Sequence, residues 1–114
     1  MKGPWEDLYG YRRAVRSGSR VVSAGTTAPG DTAADQARAA FEIALNAMAA
    51  LGAERSDVIR TRMFVTDRAH ADPVGRVHGE LFADVRPVAT LVIVAGLLQP
   101  AMLVEVEVEA EVGT

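Results

Sequence analysis

The sequence contains no cysteine, which excludes disulfides and thiolate metal sites. Aromatic residues make up only 5% of it, and the net charge is −3. An acidic chain poor in aromatics lacks both the basic footprint and the stacking platform that hold single-stranded nucleic acid. All the basic residues except Lys2 are arginine, a bias that genome composition explains more simply than a site does. No apolar run approaches the roughly 20 residues of a membrane-spanning helix. Residues 1–10, MKGPWEDLYG, show no signal-peptide core. The expectation is a cytoplasmic protein with no nucleic-acid and no membrane partner. His70 and His78, eight positions apart across a proline-containing connection, do not make a metal site.

What is present is organised around residues 85–112. Residues 89–95 form a nearly continuous run of Val, Ile, Leu and Ala, as in a strand covered on both faces. Residues 102–112 alternate: Val104, Val106, Val108, Ala110 and Val112 point one way, Glu105, Glu107, Glu109 and Glu111 the other. A helix would scatter those glutamates, whereas a strand lines them up as a column.

At 114 residues the chain is one domain, 1–114. A chain of this size buries roughly 65% of its unfolded surface, so its core is modest and oligomerisation would help it. Residues 1–10 read as a loop, from which Trp5 and Leu8 could fold back on the body. Residues 11–16 and 20–24 read as strands joined at Ser17-Gly18-Ser19. Gly25 begins a loop, and Asp31 or Thr32 caps a helix with apolar residues at Ala37, Ala40, Phe41, Ala44, Leu45, Met48 and Leu51. The polar Gln36, Arg38, Glu42 and Asn46 occupy the rest of its circumference. In a third strand, residues 56–66, Ile59, Thr61, Met63 and Val65 face one side and Arg60, Arg62 and Phe64 the other. A second helix runs from Pro73 to about Asp84 with Val74, Val77, His78, Leu81 and Phe82 inward. The order predicts an α+β fold, a two-layer sandwich of a mixed sheet with two helices on one face. The other sheet face must meet water or another subunit.

The element order, AGTTAPG after the second strand, DVIRTRMFVTD in the third and RPVATLVIVAGLLQPAMLVEVEVEA at the end together resemble the Rid family, the YjgF-type reactive-intermediate deaminases also labelled endoribonuclease L-PSP. The resemblance covers nearly the whole chain. It implies a fold like that of chorismate mutase, a homotrimer whose sheets form a central barrel, and a small-molecule ligand in a cleft at each subunit interface. The implied activity is hydrolysis of enamines and imines without a cofactor. Carried over by position, Tyr11 matches the cleft tyrosine, Gly25 the loop glycine, Thr90 the Ser/Thr of the Pro-Ala-Arg-(Ser/Thr) motif, and Glu105 the water-positioning glutamate. The arginine that would clamp a substrate carboxylate is replaced by Ala89. The family's serine before the loop glycine is Ala24, and its asparagine early in the second helix is Gly75. An arginine–carboxylate pair contributes roughly 1.5–3 kcal/mol, so a 2-imino acid loses its main anchor here.

Each candidate also has a plainer reading. Glu105 either orients water or pairs across the sheet with Arg60 or Arg62. Glu107, Glu109 and Glu111 make a solvated or paired face. His78 is a pocket group or a packed histidine, and Arg86, three residues before Ala89, is a substitute cation or a surface residue. Tyr11 lines a cleft or packs at a boundary, and Thr26 beside Gly25 cradles an anion or belongs to a simple loop. The expected function is small-molecule binding with hydrolysis of an imine, enamine or related C–N compound. The alternative is a trimer that binds a small molecule without turnover.

Overall fold

The computed structural model describes residues 3–113. Its five-stranded sheet contains β1 (Ala14–Ser17), β2 (Arg20–Ser23), β3 (Val58–Val65), β4 (Val88–Ile93) and β5 (Val104–Glu111) in the order β1-β2-β5-β3-β4. All pairs are antiparallel except β3–β4. That parallel pair requires a crossover, which the helix α3 (Ala71–Phe82) supplies. The final two strands are therefore separated by β3.

The helix α2 (Ala33–Ala49) starts where Thr32 Oγ1 accepts a hydrogen bond from the Asp35 amide at 3.1 Å, as expected of an N-cap. Its Ala37, Ala40, Phe41, Ala44 and Met48 are buried with Val74, Val77 and Phe82 of α3. These meet Val104, Val106, Val108 and Ala110 of β5, all essentially inaccessible, and Met63 and Val65 of β3. The apolar half of the glutamate strand is thus the floor of the core, and α2 and α3 cover that one face.

The structure corrects the sequence reading in four places. Residues 4–9 of the expected loop form a short helix α1 (Pro4–Tyr9). Proline at the first helical position, the Gly3 amide donating to Glu6 Oε2 at 2.7 Å, and left-handed Gly10 at its end set its limits. Trp5 is half-buried and Leu8 exposed; Met1 and Lys2 lie outside the described residues. A β-bulge between Val58 and Arg60 shifts the register of β3, so Val58 is buried and Ile59 is 41% exposed. A bulge adds one residue to a strand and reverses which neighbour faces inward. Gln36 is buried rather than displayed on the polar side of α2. Finally, β4 is an edge strand, not one covered on both faces, and Val88 and Val92 are exposed.

Candidate functional site

The uncovered sheet face separates the four glutamates of β5. In register, Glu109 lies opposite Arg60, Glu107 opposite Arg62, and Glu105 opposite Phe64. Arg62 Nη1 reaches Glu109 at 3.0 Å and Glu107 at 3.5 Å. Arg20 reaches Glu109 and Glu111, each at 3.6 Å, and Ser19 donates to Glu111 at 2.8 Å. Three carboxylates are therefore partnered, and each exposed pair is worth at most about 1 kcal/mol. Glu105 has a phenyl ring where its sisters have guanidinium groups. Among the described residues it makes no hydrogen bond or ion pair.

Glu105 instead turns toward the loop after β2. A Cβ built on Gly25 would lie 2.6 Å from Glu105 Oε2, so the missing side chain makes room for the carboxylate. Burial pushes the Glu105 carboxyl above the ordinary glutamate range. Glu107 pushes it further up and Arg13 opposes both. A carboxyl shifted upward in a cleft is suited to take up and return a proton.

The cleft is a cavity of about 340 Å³. Tyr11, Arg13, Gly25, Thr27 and Glu105 line its polar end; Trp5, Ile43, Leu97, Leu98 and Met102 contribute apolar walls. Tyr11 also borders a second concavity of about 710 Å³, with Val15 and Val22 of the open sheet face. Arg13 ties the polar end together. Its Nη1 donates to Gly25 O at 2.8 Å and Thr26 Oγ1 at 3.1 Å, and its Nη2 donates to Glu6 Oε2 at 3.4 Å and the Tyr11 hydroxyl at 3.5 Å. Its guanidinium carbon also sits 5.5 Å from the centre of the Tyr11 ring.

Gln36 holds the far wall. Its Nε2 donates to Gly30 O and Ala101 O, and its Oε1 accepts from the Leu103 amide. One buried side chain thereby joins α2 to both loops that line the cavity. Neither Arg13 nor Gln36 was singled out from sequence. Both signals were weak: Arg13 is one arginine of a strand-like YRRAVR, and Gln36 a polar residue in the first turns of a helix.

The candidate residues fall in two groups. Tyr11, Gly25 and Glu105 line the cavity; Thr26 is buried behind it, with its hydroxyl donating to Ala24 O. His78, Arg86, Ala89 and Thr90 lie elsewhere. His78 Nε2 is 2.7 Å from Thr61 Oγ1, and its ring packs against Phe41 and Phe82. Burial holds its pKa below the usual histidine value. Arg86 has φ 55 and turns the chain out of α3 toward β4. Ala89 and Thr90 are exposed on β4, level with Thr61 and Arg62 respectively. Thr90 is thus two strands across from β5, roughly 10 Å. No group of three or more His, Cys, Asp or Glu among the described residues could hold a metal ion. No described helix is long and apolar enough to cross a membrane.

A family model described as Endoribonuclease L-PSP matches residues 6–112, and the chain belongs to that family. It is 45% identical over 115 residues to protein SCO2049 of Streptomyces coelicolor, covering 94% of this chain and 85% of that one. The crystal structure of Rv2704 from Mycobacterium tuberculosis, a member of the YjgF/YER057c/UK114 family, matches with a TM-score of 0.94 at 44% identity. That match covers 96% of this chain and 93% of the other. Protein PA3499 of Pseudomonas aeruginosa matches with a TM-score of 0.83 at 28% identity, over 90% of this chain and 82% of that one. The YjgF-type resemblance and its fold therefore hold.

Proposed function

We propose that this chain binds a small molecule at the Glu105 cavity and hydrolyses its imine or enamine C–N bond. The observation that carries the reading is the state of Glu105: half-buried, without an ion-pair partner among the described residues, and seated against Gly25. In this mechanism an enamine first takes a proton at carbon to become the iminium. Glu105 then removes a proton from water as its oxygen bonds to the iminium carbon. The carboxyl returns that proton to nitrogen; as the C–N bond breaks, the new hydroxyl gives its proton to the Glu105 carboxylate, which delivers it to the next enamine carbon, and a carbonyl compound and ammonia leave. Arg13 donates to the Tyr11 oxygen, which leaves the Tyr11 proton to point at the attacking water or the hydroxyl it forms.

The proposal includes a homotrimer. The uncovered face presents Val15, Val22, Phe64, Val88 and Val92 among its Arg–Glu pairs, a surface suited to packing against a copy of itself. Such packing would bring β4 of one protomer, with Thr90 and Ala89, toward the Glu105 cavity of the next. A second reading, binding without turnover, is favoured by Ala89, which has no group to clamp a carboxylate.

Hydrolysis of imines generated in situ, followed as ammonia release, tests the reading. Wild type should turn over at least one imine without a carboxylate, and Glu105→Gln should lose about 100-fold or more. No turnover by wild type, with ligand binding retained, selects the second reading. Turnover unchanged in Glu105→Gln contradicts the mechanism.

A further inference from the structure

Resting on the reading of the Glu105 cavity as the ligand site, we infer that its ligand is an organic cation, an amine or iminium attached to an apolar body and lacking a carboxylate. The argument begins with charge. Among the described residues lining the cavity, Arg13 is the one cation and Glu105 the one acid. Arg13 is already committed. Its Nη2 forms an ion pair with Glu6, whose side chain is 7% exposed, and its Nη1 is taken by Gly25 O and Thr26 Oγ1. The Arg13–Glu6 pair is internally neutral, so it offers an incoming anion little. Glu105 is not neutralised in this way. The groups that face it are Glu107 on its own strand, Phe64 opposite on β3, and Tyr11 and Arg13 from the segment before β1. A half-buried carboxylate facing an apolar cleft is an acceptor with no donor among the described residues. A ligand carboxylate would be repelled there, whereas an ammonium or iminium N–H would be held by a charge-assisted hydrogen bond.

Shape sets the rest of the ligand. The cavity is about 340 Å³, some twice the ~150 Å³ that accommodates benzene in an apolar protein cavity. Trp5, Ile43, Leu97, Leu98 and Met102 form walls with few polar atoms. A ring or branched alkyl body fits against them, with the nitrogen directed at Glu105 and the Tyr11 hydroxyl. For the proposed hydrolysis this orientation is productive. The cationic C=N carbon sits beside the carboxylate that activates water, and the released carbonyl product has lost the charge that held it.

Trp5 is the sole tryptophan and lines the cavity, so its fluorescence reports occupancy. The experiment titrates wild type and Glu105→Gln with three probes of one body, benzylamine, benzyl alcohol and benzoate. In wild type, benzylamine should bind about tenfold or more tighter than benzyl alcohol, with benzoate weakest. Glu105→Gln, checked by melting curve, should remove the preference. A second measurement needs no variant. Benzylamine affinity in wild type should fall as pH drops through the Glu105 titration, while that of benzyl alcohol stays level. Benzoate binding as well as benzylamine, or a cation preference unaffected by both Glu105→Gln and pH, overturns the inference and leaves the cavity reading intact. Three probes that all leave Trp5 unchanged overturn the cavity reading itself, and the inference with it.

Discussion

The Glu105 carboxylate occupies the space a side chain at Gly25 would need: a Cβ there would lie 2.6 Å from Oε2 and 2.9 Å from the carboxyl carbon. Gly25 does not have a left-handed backbone, so alanine is tolerated conformationally and the conflict falls on Glu105. Gly25→Ala should leave stability within about 1 kcal/mol of wild type while rotating the carboxylate out of place. Displacement by about 1 Å can cost 100-fold in rate. Thermal melts and imine turnover, measured together, check this; full activity in the folded variant would separate Gly25 from the site.

Gln36 yields a second prediction. Gln36→Leu would strip partners from Gly30 O, Ala101 O and the Leu103 amide. A buried polar group left unsatisfied costs roughly 1–3 kcal/mol. The variant should melt at lower temperature and show faster amide exchange at Leu103. Ligand affinity should fall with it, because the loop carrying Leu97, Leu98 and Met102 loses its anchor to α2.

His78 makes stability depend on pH in a stated direction. It faces Thr61, Phe41 and Phe82, and burial lowers its pKa from the usual 6.5. The unfolded chain therefore takes up the proton first as pH falls. The stabilisation from neutral His78 is fully present above about pH 6.5 and is lost as pH falls toward its folded value. Melting temperature should drop across that window, and His78→Leu should flatten the drop. Thr61→Val, which removes the partner of Nε2, should cost roughly 1–3 kcal/mol at pH 7.

The assembly is tested at the sheet edge. Light scattering with size exclusion should give three protomers at micromolar concentration. Val92→Lys, which puts a charge on the exposed face of β4, should shift the population to monomer. A monomeric wild type would contradict the trimer.

Much of this was legible in the sequence because the strongest signals are periodic. Alternation over residues 104–111 fixed both faces of β5, and helical spacing found α2 and α3 to within about two residues at most ends. The departures have local causes. One bulge exchanged Val58 for Ile59 on the inner face, a shift no period-2 pattern contains. Helix α1 depends on capping by Gly3, Glu6 and Gly10 in a stretch that reads as breakers. The site was half legible. Tyr11, Gly25 and Glu105 came from the family resemblance, but the uniqueness of Glu105 among four glutamates depends on what lies opposite on β3. Phe64 replaces an arginine there, a relation of register that appears only once β3 and β5 are paired. Arg13 and Gln36 act through backbone groups distant in sequence, which composition and spacing do not disclose.

The central claim is that Glu105 is set apart from Glu107, Glu109 and Glu111. Titration of the Glu105 side-chain carboxyl carbon by NMR measures the consequence directly. The Glu105 carboxyl should titrate above the ordinary glutamate range, because desolvation and Glu107 raise it. If Glu105 titrates within or below the ordinary glutamate range, the carboxylate is neither buried nor poised, and the account of this site is contradicted.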